Sequence, residues 1–384
     1  MRKKIISYGR HLIDQADIDA VTEALQSGWL TGGPAIVAFE EAVARLCGAA
    51  HAVAVCNGTA ALHCAMHALR VAPGDEVIVP PMTFCATANA VVYQGGEPVF
   101  ADVAPGTLLL DPASVEASLT PRTKGIVAVD YAGQPCDYDA LRAIADAHGL
   151  FLAADACHSL GGAWNGRPVG SLADVTCLSF HPVKHITTGE GGMILCDDPL
   201  LAETMRRFRN HGIDADPARR AEQGVWRYDM GFLGHNYRIT DIQCALGGSQ
   251  LDKLPQWLTR RREVAAMYAQ ALRNMADVSP LEEVPGATHA LHLYVVRIAS
   301  RPKPLRDAVL SGLRARGVQA NVHYVPANRH SYYRQRLGDG ASGTPVCDKA
   351  FEEILSLPMH AGLTDEDVRH VLWALGEALL EARA

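Results

Sequence analysis

Ser179-Phe180-His181-Pro182-Val183-Lys184-His185-Ile186-Thr187-Thr188-Gly189-Glu190-Gly191-Gly192 is the stretch on which the rest of the chain hangs. An apolar run at 176–180 stops just before a lysine, and a Gly-Glu-Gly-Gly turn leads into a second apolar run at 193–196. Glycines at such a point let the backbone turn sharply and approach a ligand closely. A lysine held partly out of water has a lowered pKa, and its neutral amine can bond to a carbonyl carbon. Taken alone, the segment reads as an exposed lysine before a turn.

Working outward, the apolar run 150–154 ends at Asp155. Open α/β sheets bind ligands beyond the carboxyl ends of their strands, and a carboxylate there can pair with a protonated pyridine nitrogen. A helix-capping aspartate is the other reading. Further upstream, Asn57-Gly58-Thr59-Ala60-Ala61-Leu62 follows the run 51–56 and opens a helix over 59–69. Free amides at a helix start, with the Thr59 hydroxyl, make a cup for phosphate. Many helices begin this way without binding anything. Further strands are expected at 76–79, 98–103 and 125–129, with a helix at 141–147. This alternation predicts an α/β domain with a mostly parallel sheet over residues 1–250. Beyond 251 the texture changes to a charged helix (254–274), a strand (291–298), a helix (305–316), a strand (318–324) and an amphipathic helix (364–382). That pattern predicts a smaller α+β domain over 251–384. The polar stretch 207–232 reads as a loop.

The 384 residues are 48% hydrophobic and 20% charged, which suits a globular chain with a large core. The net charge is −7 and there is no long basic run, so nucleic acid is not an expected partner. No run approaches the length of a membrane span, and the basic N-terminus has no apolar stretch behind it, so a cytoplasmic location is expected. Ten cysteines without a C-x-x-C pair read as small apolar core residues. His63 and His67 have metal-like spacing, yet no further ligand accompanies them and no metal is expected.

In order along the chain, several motifs resemble one family. They are Gly28-Trp29-Leu30-Thr31-Gly32-Gly33, Asn57-Gly58-Thr59-Ala60, the stretch 80–89 with Phe84, and Asp130-Tyr131-Ala132-Gly133. Asp155-Ala156-Cys157-His158, the lysine segment, Gly234-His235-Asn236-Tyr237-Arg238 and Val322-His323-Tyr324 complete the set. Together they resemble the DegT/DnrJ/EryC1/StrS sugar aminotransferases, which are fold-type I pyridoxal-phosphate (PLP) enzymes, over nearly the whole length. The finer likeness is to the branch serving pseudaminic acid biosynthesis, with the aminoarabinose branch second.

The resemblance implies amino transfer from L-glutamate to C4 of a UDP-linked 4-keto-6-deoxy-N-acetylhexosamine. It implies that Lys184 holds the cofactor and shuttles the proton, that Asp155 binds the pyridine nitrogen, and that Phe84 stacks on the ring. Gly58, Thr59, Ala60 and Ser179 would hold the phosphate. His158 would lie near the ring's oxygen side, or else be a core histidine. Asn236 would reach the phosphate of a neighbouring subunit, implying a homodimer with shared sites. Tyr8, Gly28, Trp29, Leu30, Thr31, His323 and Tyr324 match contacts to the sugar nucleotide. Some members carry histidine in place of the lysine and are dehydratases; Lys184 points to transamination, although His185 stands beside it. A PLP-dependent dehydratase and a non-catalytic regulator with the same fold are the alternatives.

Overall fold

The computed structural model describes residues 5–214, 224, 226–299 and 305–383. Its centre is a seven-stranded sheet, labelled here in chain order: His51–Val55 (β1), Glu76–Val79 (β2), Glu97–Phe100 (β3), Thr123–Val129 (β4), Phe151–Asp155 (β5), Val175–Ser179 (β6) and Gly192–Cys196 (β7). The spatial order is β1-β7-β6-β5-β4-β2-β3. Every pairing is parallel except those of β7, which runs antiparallel to β1 and to β6. The expected mostly parallel mixed sheet is therefore present.

Side-chain alternation explains why helices cover both faces. Along β4, Ile126 and Ala128 enter one core while Val127 enters the other; along β5, Leu152 and Ala154 oppose Ala153 in the same way. A strand apolar on both faces must be buried on both. The carboxyl ends of β4, β5 and β6 consequently lie side by side, with Val129 opposite Asp155 and Asp155 opposite Cys177. The functional residues rise from this edge.

A third core forms around a three-stranded antiparallel sheet of Val278–Pro280, Tyr294–Ile298 and Ile354–Leu357. The helices Arg306–Ala315 and Asp365–Arg383 cover it. Ile6 also packs there, because Ile6–Ser7 pairs in parallel with Val318–Gln319. The N-terminal arm thus contacts the C-terminal part of the chain.

Three sequence expectations need correction. The long helix runs Asp241–Leu272 and starts well before residue 254, so position 250 lies within it. Gly247-Gly248 and Pro255 hide its beginning in the sequence, and Thr240 with Gln243 closes a capping box at its start. Gly247 serves a close approach: a Cβ there would stand 2.7 Å from the Phe39 ring and 2.8 Å from Thr188 Cγ2. The strand expected at 318–324 is only Val318–Gln319, and the chain beyond it turns toward the sheet edge. The strand expected from 291 begins at Tyr294, since Leu291 has a positive φ of 56° that no strand accommodates. Within the polar stretch 207–232, Arg207 and Phe208 close the helix Pro199–Phe208, while 215–223 and 225 lie outside the described residues. Among the described residues no helix is long and apolar enough to cross a membrane.

Candidate active site

Asp155 ends β5, and its carboxylate is buried. Thr87 Oγ1 donates to its Oδ2 at 2.6 Å, and the Cys157 N–H donates to its Oδ1 at 3.3 Å. Thr83 and Thr87 hydroxyls are 2.7 Å apart. With the Thr87 proton spent on the carboxylate, the Thr83 hydroxyl is the donor in that pair. The carboxylate is thereby oriented by two donors.

Lys184 follows β6 in a tight turn, its N–H bonded to the His181 carbonyl at 2.9 Å. The residue is half-buried. Burial lowers its pKa below the ordinary lysine value, against the opposing pull of Cys157 and Asp155. Both Lys184 and Asp155 line one cavity of about 540 Å³.

The phosphate cup is built by the start of the helix Gly58–Ala68. Asn57 Oδ1 accepts from the Ala60 N–H at 2.8 Å, which leaves the amides of Gly58 and Thr59 at the cavity wall. Gly58 is pressed against β6: a Cβ there would meet Ser179 Cβ at 3.0 Å and Ser179 Oγ at 3.2 Å. Ala60, expected to join the cup, is buried away from the cavity with its amide already capped.

Of the residues singled out in the sequence, Tyr8, Gly58, Thr59, Phe84, Asp155, His158, Ser179, Lys184, His323 and Tyr324 line this cavity. They come from six separate chain segments. Gly28, Trp29, Leu30 and Thr31 do not line it; they form an exposed turn that Thr31 bridges to Thr240. Asn236 is also exposed and away from the cavity of its own chain, bridged to Asn210. Phe84 is exposed at the rim, its ring 5.9 Å from that of Tyr324.

Aromatic rings and imidazoles furnish the rest of the wall. His158 Nε2 and Tyr324 Oη are 3.0 Å apart, and the His292 ring lies 4.4 Å from His158. Burial, then the charge of Lys184, holds the His158 pKa well below its ordinary value, so the ring is neutral. Its Nδ1 is buried without a hydrogen-bond partner among the described residues. Burial brings His323 to about 4; its Nδ1 is 2.9 Å from Ser356 Oγ, and its carbonyl accepts from the Tyr131 hydroxyl. Tyr8 packs on the His323 ring at 5.0 Å.

Sequence reasoning assigned no role to Thr87, His292 or Asp130. Asp130 is fully buried and accepts from Ser159 Oγ (2.5 Å), Tyr138 Oη (2.9 Å) and the Cys136 N–H (3.0 Å). Burial raises its pKa to about 7. Ser159 neighbours His158, so this carboxylate braces the turn that carries the imidazole. Thr87 and Asp130 both fall in motifs quoted above, but nothing local in the sequence names their partners. His63 and His67 pack in an aromatic cluster: His63 lies 2.7 Å from the Gln94 amide, and His67 stacks on Phe208.

The residues fit an aromatic, phosphate-bearing aldehyde. The cavity joins an amine, an oriented carboxylate, an amide cup where Gly58 packs closely on Ser179, and an imidazole nitrogen unpartnered among the described residues. Comparison with known proteins accords with this. Residues 11–376 match the DegT/DnrJ/EryC1/StrS aminotransferase family. SpsC, a spore coat polysaccharide biosynthesis protein of Bacillus subtilis (strain 168), is 38% identical over 378 residues, 97% of each chain. PseC of Helicobacter pylori, an aminotransferase involved in pseudaminic acid biosynthesis, superposes with a TM-score of 0.91 at 31% identity, covering 98% of this chain and 100% of PseC. The PLP form of Spr1654 from Streptococcus pneumoniae, a sugar aminotransferase by its description, superposes with a TM-score of 0.91 at 30% identity, covering 98% of this chain and 99% of Spr1654. With fold, cavity and full-length likeness in agreement, the chain belongs to the DegT/DnrJ/EryC1/StrS family and is a PLP-dependent sugar aminotransferase.

Proposed function

We propose that the enzyme transfers an amino group from L-glutamate to C4 of a UDP-linked 4-keto-6-deoxy-N-acetylhexosamine, the step that pseudaminic acid synthesis requires. The observation that carries this reading is the convergence of Lys184, Asp155 and the Gly58–Ser179 cup on one cavity whose rim holds Tyr8, His323 and Tyr324. Likeness to PseC supports the sugar, and likeness to SpsC supports a polysaccharide pathway.

Bound there, PLP supplies a carbonyl carbon that carries the amino group and a protonated ring that withdraws electrons from the reacting carbon. The chain's own residues do the rest. The Gly58 and Thr59 amides, the Thr59 hydroxyl and Ser179 Oγ would hold the phosphate at the positive end of the helix. Asp155, fixed by Thr87 and Cys157, would hold the proton on the ring nitrogen. Phe84 would cover the ring. His158, neutral and tied to Tyr324, would offer its Nδ1 to a polar group of the ring. Lys184 Nζ, deprotonated more readily because it is buried, takes the α-proton of the donor and delivers it to the neighbouring carbon. The same atom runs the transfer in reverse for the sugar.

Asn236, exposed on its own chain, would complete the phosphate site of a partner copy, and the exposed turn from Gly28 to Thr31 would face the partner's substrate. The active unit is then a cytoplasmic homodimer, each chain divided between a PLP-binding domain (1–250) and a C-terminal domain (251–384). The test is mass spectrometry of products formed from UDP- and dTDP-linked 4-keto-sugars with glutamate. A UDP-linked 4-amino product is expected. Loss of a hydroxyl without gain of nitrogen would instead identify a dehydratase, and amination of a pentose alone would move the enzyme to the aminoarabinose branch.

A further inference from the structure

The long helix buries a cation that has no counter-charge among the described residues. Arg261 is 2% exposed, and its Nη1 donates to the carbonyls of Leu291 (2.9 Å), Met359 (3.0 Å) and His292 (3.3 Å). Its Nε, also buried, has no partner among the described residues. Burial alone draws its pKa down to about 10, with no carboxylate among the described residues holding it up. A buried charge left uncompensated is costly, and folded proteins normally match it with an anion.

Beside Arg261 lies a second, much smaller cavity of about 10 Å³. Arg10, His11, Lys184, His185 and Trp257 share its wall with Arg261, and no Asp or Glu lines it. The neighbouring carboxylate Asp17 is already engaged by Gln250 Nε2 (2.7 Å), Ser249 Oγ (2.7 Å) and Lys253 Nζ (2.8 Å). Gln250 spends the same amide nitrogen on the Leu12 carbonyl (2.9 Å). The space suits one water-sized body. Phosphate, sulfate and carboxylates are too large for it.

We propose that this cavity is a monoatomic anion site, for chloride, with Arg261 as the buried anchor and the exposed Arg10 as the second cation. An anion there supplies the counter-charge that the Arg261 guanidinium lacks among the described residues. It also eases a concentration of positive charge, since Arg261 repels protons from His185, His292 and His360. Lys184 lines both cavities, so occupancy of the small one acts on the amine that faces the large one. The substrate assigned above plays no part in this inference.

The cofactor-loaded full chain provides the test. Crystals soaked in sodium bromide and measured at the bromine absorption edge are expected to show an anomalous peak beside the Arg261 guanidinium. In solution, broadening of the chloride-35 NMR line at constant ionic strength reads the same site. Arg261→Gln is expected to weaken chloride binding about tenfold, as loss of a charged hydrogen bond does. Arg10→Gln, at an exposed position that folding tolerates, is expected to weaken it about threefold. No peak at Arg261 in crystals that take bromide elsewhere overturns the proposal and leaves a buried water as occupant. Chloride broadening unchanged in Arg10→Gln overturns it as well, even if Arg261→Gln fails to fold.

Discussion

At Asp155, one short hydrogen bond shows how a residue acquires its task. The carboxylate ends a strand, as many do, but Thr87 donates to it from 68 positions away in the chain. Replacing Thr87 with valine keeps the shape and removes the donor. We expect kcat to fall about tenfold, the size of a hydrogen bond to a charged group, with the far-UV circular dichroism unchanged. An unaltered kcat would count against Asp155 as the partner of the ring nitrogen. The aspartate was evident in the sequence from its place after an apolar run. Thr87 was not, because a hydroxyl in a helix carries no mark of what it faces. Ala60 shows the opposite case: its motif pointed to phosphate, but Asn57 had already taken its amide.

The helix Gly58–Ala68 and strand β6 make one binding element between them. Their packing depends on the missing side chain of Gly58, where a Cβ would crowd Ser179 at 3.0 Å. Gly58→Ala makes the Ser179 side chain or the helix start give by a few tenths of an ångström, and overpacking of this kind typically costs about 1–3 kcal/mol. The cofactor dissociation constant, read by equilibrium dialysis, is expected to rise at least about tenfold. Unchanged affinity would place the phosphate elsewhere. Strand and helix patterns for these elements were legible from alternation and capping residues. The long helix Asp241–Leu272 was only half legible, since its glycines and proline break the usual signs while tertiary packing against Phe39 overrides them.

The whole molecule buries several histidines in uncharged form. Burial is the leading cause that brings His63, His289, His323 and His360 to about 4, from an ordinary value of 6.5. Between those values the unfolded chain binds protons that the folded chain refuses. Stability present above pH 6.5 is therefore lost as the pH falls toward 4. The urea midpoint of the cofactor-free protein is expected to drop between pH 7 and pH 5; a flat profile would mean that these rings are solvated. A second expectation concerns assembly. Lys184→Ala and Asn236→Ala chains, each inactive alone, should regain about a quarter of normal activity when refolded together, because half the dimers hold one intact site. No recovery would show that Asn236 serves its own chain.

By itself the sequence determined the mostly parallel sheet and, through the family resemblance its ordered motifs carry, the cofactor chemistry and the lysine that serves it. These rest on patterns within short windows: apolar runs, helix starts, glycine turns and their order. Only the tertiary structure decided which side chains meet. Asp130 bracing the His158 turn, Tyr324 on His158, Thr87 on Asp155 and the unpaired Arg261 are contacts between distant segments. Such contacts depend on how strands are ordered in the sheet and how its ends are covered, and no local spacing encodes that arrangement. Lys184 could be named from the order of motifs along the chain; the cavities on either side of it could not.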